Sequence, residues 1–388
     1  MKQGWEIKKL GEVGTFQRGG GFLKSDFVED GFPCIHYGQI HTRLGVKTYK
    51  HLTCITEELA FSKSKIAHSG DVIIAITSED VEGSCKCTAW LGGYDVAVGA
   101  HAAIYRHNLN PAFVAYYFNG AHFNFEKIKY ARGFKVVEIK PSDIEKISIK
   151  FPSLEEQERI VVELDCLSGV IERKREQLRE LDALAQSIFY QMFGDPITNE
   201  KGWEVKKLGE VCKTTSGGTP SKGHNEYYEG GTIPWLRSGE VNKMYIYDTE
   251  LFITEEGLKN SSAKWFPENT VVVAMYGATV GQVGILKSKM TTNQAICGIF
   301  PNEYLIPTYL YHFLLSKKEE YLKLATGGAQ PNISQNIVRD TLVCCPTIAQ
   351  QQQFAEKIEK IEQQKELIKK SISETENLFN ARMDYYFN

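Results

Sequence analysis

The chain has 388 residues, 42% of them hydrophobic and 24% charged, and its 45 Lys plus Arg against 48 Asp plus Glu leave a formal net charge of −3. These values fit an ordinary soluble globular protein of two or three domains and exclude a histone-like or polybasic one. No apolar run approaches the ~20 residues of a membrane helix; Val271 to Leu286 is broken by Gly277, Gly281, Gln282 and Gly284.

The start Met1-Lys2-Gln3-Gly4-Trp5-Glu6 has no signal-peptide core, and the segment Gly4-Trp5-Glu6-Ile7-Lys8-Lys9-Leu10-Gly11-Glu12-Val13 is repeated later in the chain. It returns as Gly202-Trp203-Glu204-Val205-Lys206-Lys207-Leu208-Gly209-Glu210-Val211, with nine of ten positions identical. Weaker echoes follow in the same order. Pro33-Cys34-Ile35 answers Pro234-Trp235-Leu236, Ile55-Thr56-Glu57-Glu58 answers Ile253-Thr254-Glu255-Glu256, and Asp71 to Ile76 answers Thr270 to Met275. The chain therefore reads as a tandem duplication with a diverged middle. Nine scattered cysteines suit a reducing cytoplasm and lack the paired spacing of a zinc site.

In chain order, residues 1–151 hold short β-branched runs separated by Gly, Asn and Pro, the pattern of a β-rich α+β domain. Residues 152–195 follow as one long helix. Ser153-Leu154-Glu155-Glu156 forms its capping box and Phe193-Gly194-Asp195-Pro196 its stop. Its heptads place Ile160, Leu167, Lys174, Leu181 and Ile188 at a, and Leu164, Ile171, Leu178, Ala185 and Met192 at d. Residues 196–345 repeat the β-rich domain, and 346–388 repeat the helix from Thr347-Ile348-Ala349-Gln350. There Phe354, Ile361, Ile368, Thr375 and Arg382 take a, while Ile358, Lys365, Ile372, Phe379 and Tyr386 take d. The run Gln350 to Gln353 reads as a solvated helix start.

Each helix could pack on its own domain as an amphipathic core helix. Glu155 to Met192, however, would span about 57 Å at 1.5 Å per residue, against a radius of gyration of about 14 Å for such a domain. Helix-on-helix pairing is the stronger reading. The second domain begins where the first helix ends and closes where the second begins, which demands antiparallel helices related by a pseudo-two-fold axis. Lys174 and Lys365 interrupt the apolar seam, and either set its register or snorkel out of it.

Two related, non-identical heads suit bipartite recognition of DNA, whose equivalent groove faces recur every ~34–36 Å. The chain resembles the specificity subunit of Type I restriction–modification systems. The resemblance rests on Pro152-Ser153-Leu154-Glu155-Glu156-Gln157-Glu158-Arg159-Ile160, Ser216-Gly217-Gly218-Thr219-Pro220-Ser221, Ile233-Pro234-Trp235-Leu236, Gly327-Gly328-Ala329-Gln330-Pro331-Asn332-Ile333-Ser334 and the repeated Gly-Trp-Glu start. It implies two target recognition domains on helical spacers and a bipartite double-stranded DNA target. Two methyltransferase subunits would dock on the spacers, and restriction subunits would add to that core. It implies that S-adenosylmethionine, ATP and Mg belong to those partners, with no cofactor in this chain, and that spacer length sets the gap between half-sites. The first half departs from the pattern: Gln17-Arg18-Gly19-Gly20-Gly21 and Arg132-Gly133-Phe134-Lys135-Val136-Val137 stand where the second half has the Gly-Gly-Thr-Pro and Gly-Gly-Ala-Gln-Pro-Asn forms.

Candidate DNA contacts follow from side-chain chemistry. Glycine loops let a backbone approach phosphates with outward N–H donors; Arg18, Gly19 and Gly20 form one, Gly217, Gly218 and Thr219 the other, with ordinary hairpin turns as the plainer reading. Base edges take bidentate Arg, Asn or Gln. The loops offer Tyr37, Gln39, His41, Arg43, Arg132 and Lys135 in the first head. In the second they offer Arg237, Glu240, Asn242, Lys243, Tyr276, Thr279, Gln282, Gln330 and Asn332, with His101 and Gln294 at corresponding places. Glu155, Glu158, Arg159, Lys357 and Glu359 sit on outward helix faces suited to a partner subunit, or are a plain charged surface.

A catalytic chain is the rival class. The Asn/Asp-Pro-Pro-Tyr/Phe methylation motif, Gly-x-Gly-x-x-Gly and the Gly-Lys-Thr/Ser phosphate loop are all absent from the sequence. A bare coiled-coil scaffold has no reason to diversify its loops. Net charge divides as +3 for residues 1–151, −5 for 152–195, zero for 196–345 and −1 for 346–388. The acidity thus lies in the first spacer and not in the heads.

Overall fold

The computed structural model describes residues 4–328 and 330–388. It divides into two compact units: Met1–Arg175 with Lys370–Asn388, and Glu176–Lys369. Each unit is therefore one β-rich head plus a segment of each long helix.

In the first unit a five-stranded sheet runs in the order Gly14–Arg18, Ala102–His107, Val72–Ala75, Cys87–Trp90, Lys47–Thr48. A four-stranded sheet runs Thr53–Ile55, Phe32–Ile35, Val96–Val98, Lys65–Ala67. The central run Val72-Ile73-Ile74-Ala75 is buried on both faces, which explains its unbroken apolar character. Glu6–Lys9 pairs antiparallel with Ser148–Phe151 and ties the start of the head to its end.

The second unit repeats this strand for strand. Its five-stranded sheet is Thr214–Ser216, Ile296–Ile299, Val271–Ala274, Val283–Leu286, Tyr245–Ile246, and its four-stranded sheet Phe252–Ile253, Ile233–Leu236, Met290–Thr292, Trp265–Phe266. Val205–Lys207 closes against Leu342–Cys344. Both copies carry the same parallel pairings, Phe32–Ile35 with Val96–Val98 and Ile233–Leu236 with Met290–Thr292.

The two long helices span Leu154–Phe193 and Ile348–Phe387, 40 residues each. No helix among the described residues is long and apolar enough to cross a membrane. Gly194, at φ +76°, donates its N–H to the Tyr190 carbonyl and ends the first helix in a left-handed cap. Thr347 and Gln350 cap the second reciprocally.

Within each unit the two helix segments run antiparallel. In the first, Glu163 meets Arg382 and Tyr386 while Lys174 meets Ser371 and Thr375. In the second, Asp182 meets Lys365 while Phe189 packs on Phe354. The bond from Arg382 holds the Glu163 carboxyl below its ordinary range. Both seam lysines stay in the seam instead of snorkelling. Lys174 bonds across to Ser371, and Lys365 bridges Asp182 at 2.7 Å and Glu362 at 2.6 Å. The choice between pairing and packing on the head dissolves, because the helices do both. Ile160, Leu164, Met383 and Phe387 enter the core of the first head; Ala185, Phe189, Phe354 and Ile358 enter that of the second.

A glutamine one turn into each helix locks the junction. Gln157 is 1% exposed; it donates to the Pro152 carbonyl and accepts from Asn110 N–H, both at 2.8 Å. Gln351 is fully buried, donates to the Pro346 and Tyr304 carbonyls, and accepts from Ile306 N–H. Gln351 is thus a buried clamp and not part of a solvated start. Replacing either with Leu strands a buried N–H and at least one carbonyl. Chemical denaturation should show a loss on the order of 1–3 kcal/mol per site, and an unchanged midpoint would remove the clamp.

Candidate nucleic-acid interface

In the first unit several predicted contacts converge. The Tyr37 ring lies 5.0 Å from His101 and 6.0 Å from His41 between centroids. His41 Nε2 lies 3.1 Å from the Thr77 carbonyl oxygen. Arg18 donates to the Ala100 carbonyl at 3.1 Å and pairs with Glu138 at 3.0 Å. Glu138 in turn pairs through its backbone with Thr77, which closes a continuous ring of contacts. Arg43 is exposed on the far end of the Tyr37–Thr42 helix. His36, which the sequence reading passed over, underlies this cluster. Its N–H bonds Gln39, its Nδ1 accepts from Gly38 N–H, and its ring packs 4.5 Å from Tyr37. Burial, then nearby Lys24 and His101, holds it down at about 4, so it is neutral at pH 7. The cap spacing from His36 to Gln39 was the available signal.

In the second unit Tyr276 and Asn332 share a backbone bridge, Gly277 N–H bonds the Pro331 carbonyl, and the Thr279 hydroxyl bonds the Tyr276 carbonyl. Tyr276, Thr279, Gln282, Gln330 and Asn332 therefore gather around one surface, and Ser334 caps the short helix that follows.

Other expectations are corrected. The glycines do not present free donors. Gly19 and Gly20 donate to Ala102 and Val98 carbonyls, and Gly217 and Gly218 to Ile296 and Thr292 carbonyls. A Cβ on Gly20 would stand 1.8 Å from the Lys63 carbonyl oxygen, and one on Gly218 2.2 Å from Ala263 N. These residues permit close backbone packing inside each head, and Thr219 follows them half-buried. Gln39 is spent on the Thr53 hydroxyl as well as the cap. Arg237 divides its fork between Glu240 and Glu250. Burial opposes ionisation of Glu240, yet bonds from Glu250 N–H, Thr249 and Arg237 hold its carboxyl below the ordinary range. Gln39, Arg237 and Glu240 are thus internal clamps. His101 and Gln294 are not equivalents. Strand register makes Ala102 answer Ile296, so His101 answers Ala295 and Gln294 answers Ala100. Asn242 and Lys243 line a groove of about 1220 Å³ with Asp182, Glu359 and His312 from the helices and Pro307–Ser316.

A loop that looks different in the two halves proves equivalent. Arg132 and Glu138 exchange two backbone bonds, as do Thr326 and Asn332. Gly133 at φ +105° and Gly327 at φ +109° turn the chain at the same point. Arg132 also reaches Asp143 at 3.4 Å, and Lys135 is exposed on the loop. Among the partner candidates, Glu155, Glu158, Arg159, Lys357 and Glu359 are all exposed, with Arg159 held to Glu156.

Gly20→Ala and Gly218→Ala should each lower the thermal midpoint of the purified chain by several degrees, about 1–3 kcal/mol. Unchanged midpoints with weakened DNA binding would restore the phosphate-loop reading.

Residues 2–183 and 200–377 each match the Type I restriction modification DNA specificity domain. The chain is 29% identical over 204 residues to the Type I restriction enzyme EcoR124I/EcoR124II specificity subunit of Escherichia coli, covering 51% of this chain and 50% of that protein. It is 34% identical over 160 residues to the MjaIX specificity subunit of Methanocaldococcus jannaschii, covering 40% and 37%. The matches thus span half or less of these relatives' length. A solved chain from a study of complex assembly and conformational transition of the type I R-M system superposes with a TM-score of 0.61 at 18% identity, covering 100% of this chain and 98% of that one. With two matching segments that together take in most of its length, the chain belongs to the Type I restriction–modification DNA specificity family.

Proposed function

We propose that the chain is the non-catalytic sequence-reading subunit of a cytoplasmic Type I restriction–modification complex. Each head takes one half-site of an asymmetric, bipartite double-stranded DNA target. The chain directs two methyltransferase subunits, and restriction subunits with them, to that target. S-adenosylmethionine, ATP and Mg are expected on those partners. The observation that carries this reading is one repeated topology whose loops carry different side chains at equivalent exposed positions. Arg132, Phe134 and Val136 answer Thr326, Gly328 and Gln330 at exposed positions of one equivalent loop, while the sheets beneath keep the same strand order. Two frames that agree in strand order and differ at their exposed loops suit two different ligand sequences of one chemical kind. The exposed Glu155, Glu158 and Lys357 leave helix faces available to partner subunits.

The near-neutral heads make few phosphate contacts by themselves, so the chain alone should bind DNA weakly and with a shallow salt dependence. Co-expressed with the neighbouring methyltransferase subunit, it should co-purify and direct adenine methylation to one bipartite sequence, mapped by methylome sequencing. Methyl transfer by the chain alone, or failure to co-purify, would overturn the assignment. Inserting seven residues into each long helix should change the gap between the half-sites and leave the half-sites themselves unaltered; altered half-sites with an unchanged gap would refute the spacer role.

A further inference from the structure

The loop from Arg132 to Glu138 carries the most exposed large apolar side chain among the described residues. Phe134 is 99% accessible, and Val136 beside it is 59% accessible. A whole ring in water forgoes the free energy of burial. The loop is nevertheless not slack. Arg132 and Glu138 close it with backbone bonds of 3.0 and 2.8 Å, and Gly133 turns it in a conformation that a Cβ would block at 2.1 Å from the Val136 carbonyl oxygen. The ring is therefore presented on a braced tip.

The base of that tip belongs to the surface already described. Glu138 pairs with Arg18 and, through its backbone, with the Thr77 strand. His41 touches Thr77, and Arg18 reaches the residue before His101. Arg132 and Lys135 on the loop, and Lys140 two residues beyond it, are exposed, with Arg132 reaching Asp143. A protein interface depletes charge around its apolar centre, whereas a ring on a loop with exposed cations matches nucleic acid. Apolar wedges enter between base steps while Lys and Arg hold the flanking phosphates.

The second copy supplies the contrast. The Thr326–Asn332 loop has the same closure and the same turn at Gly327, but Gly328, itself at φ +55°, stands in the place of Phe134. One head has a wedge and the other has none.

We propose that Phe134 inserts between adjacent bases of the half-site held by the first head, so that this half-site alone is unstacked and kinked. The proposal rests on the reading of the chain as a DNA-recognition subunit. It adds a residue that acts on DNA shape and not on base-edge hydrogen bonds, and so makes the first half-site sensitive to how easily one base step opens.

The test uses the complex of the full chain with its methyltransferase subunits and a target duplex carrying 2-aminopurine at successive positions through both half-sites. With wild-type protein, fluorescence should rise several-fold at one step in the first head's half-site, away from the methylated adenine. F134A should abolish that rise and weaken target binding roughly ten- to a hundred-fold, with an unchanged thermal midpoint and unchanged half-site sequences. F134W should keep the signal. A signal that survives F134A belongs to the partner subunits and overturns the proposal, as does a flat wild-type profile on a bound target. Loss of methyltransferase co-purification in F134A would assign the ring to a protein contact and also overturn it. A wild-type complex that fails to bind any bipartite target would instead sink the underlying reading.

Discussion

The structure of each unit depends on a buried amide at the point where a long helix leaves its head. Gln157 and Gln351 each satisfy a carbonyl at the end of the closing strand and an N–H in front of a head helix. In a desolvated setting such bonds are costly to break, because the partners have no water to turn to. They fix where the helix starts and which face it turns to the head. That placement brings Ile160 and Leu164 into one core and Phe354 and Ile358 into the other. The same orientation leaves the seam to be completed by the antiparallel segment, through Glu163 with Arg382 in one unit and Asp182 with Lys365 in the other.

Duplication explains why the two heads share one backbone frame although their side chains have diverged. The sheets repeat in strand order and in their parallel pairings, and the glycines at 19, 20, 217 and 218 serve the same close packing in both copies. Outside that frame the copies part. In the first unit Lys47, Asp165 and Tyr116 are bonded together. At the corresponding place in the second, Tyr245, Glu359 and His312 line an open groove, and His312 Nε2 is buried without a partner among the described residues. A frame that carries the stability leaves its exposed positions free to specialise.

Much of the helical architecture was legible because a period of 3.6 residues is local. The heptad positions of both helices are buried or half-buried throughout, and Ser153, Thr347 and Gly194 mark their ends. The candidate site was less legible. Gln39, Arg237 and Glu240 have the side chains of base readers, but their partners, Thr53, Glu250 and Thr249, lie many residues away in sequence. The loops at Gly133 and Gly327 share their closing bonds and their first turn with almost no shared side chains, since backbone bonds and a positive φ define both.

The sequence by itself determined the duplication, the two β-rich heads and the length and pairing face of the helices, because repeats and periodicity are properties of the chain in order. Only the tertiary structure decided what the loop residues are free to do. It spent the glycine amides and three of the expected readers on internal bonds, shifted the correspondence of His101 and Gln294 by one residue, and left Phe134 bare on a braced tip. The reason is physical: whether a polar group is available to a ligand depends on which distant groups satisfy it first, and that is settled only when the sheets close.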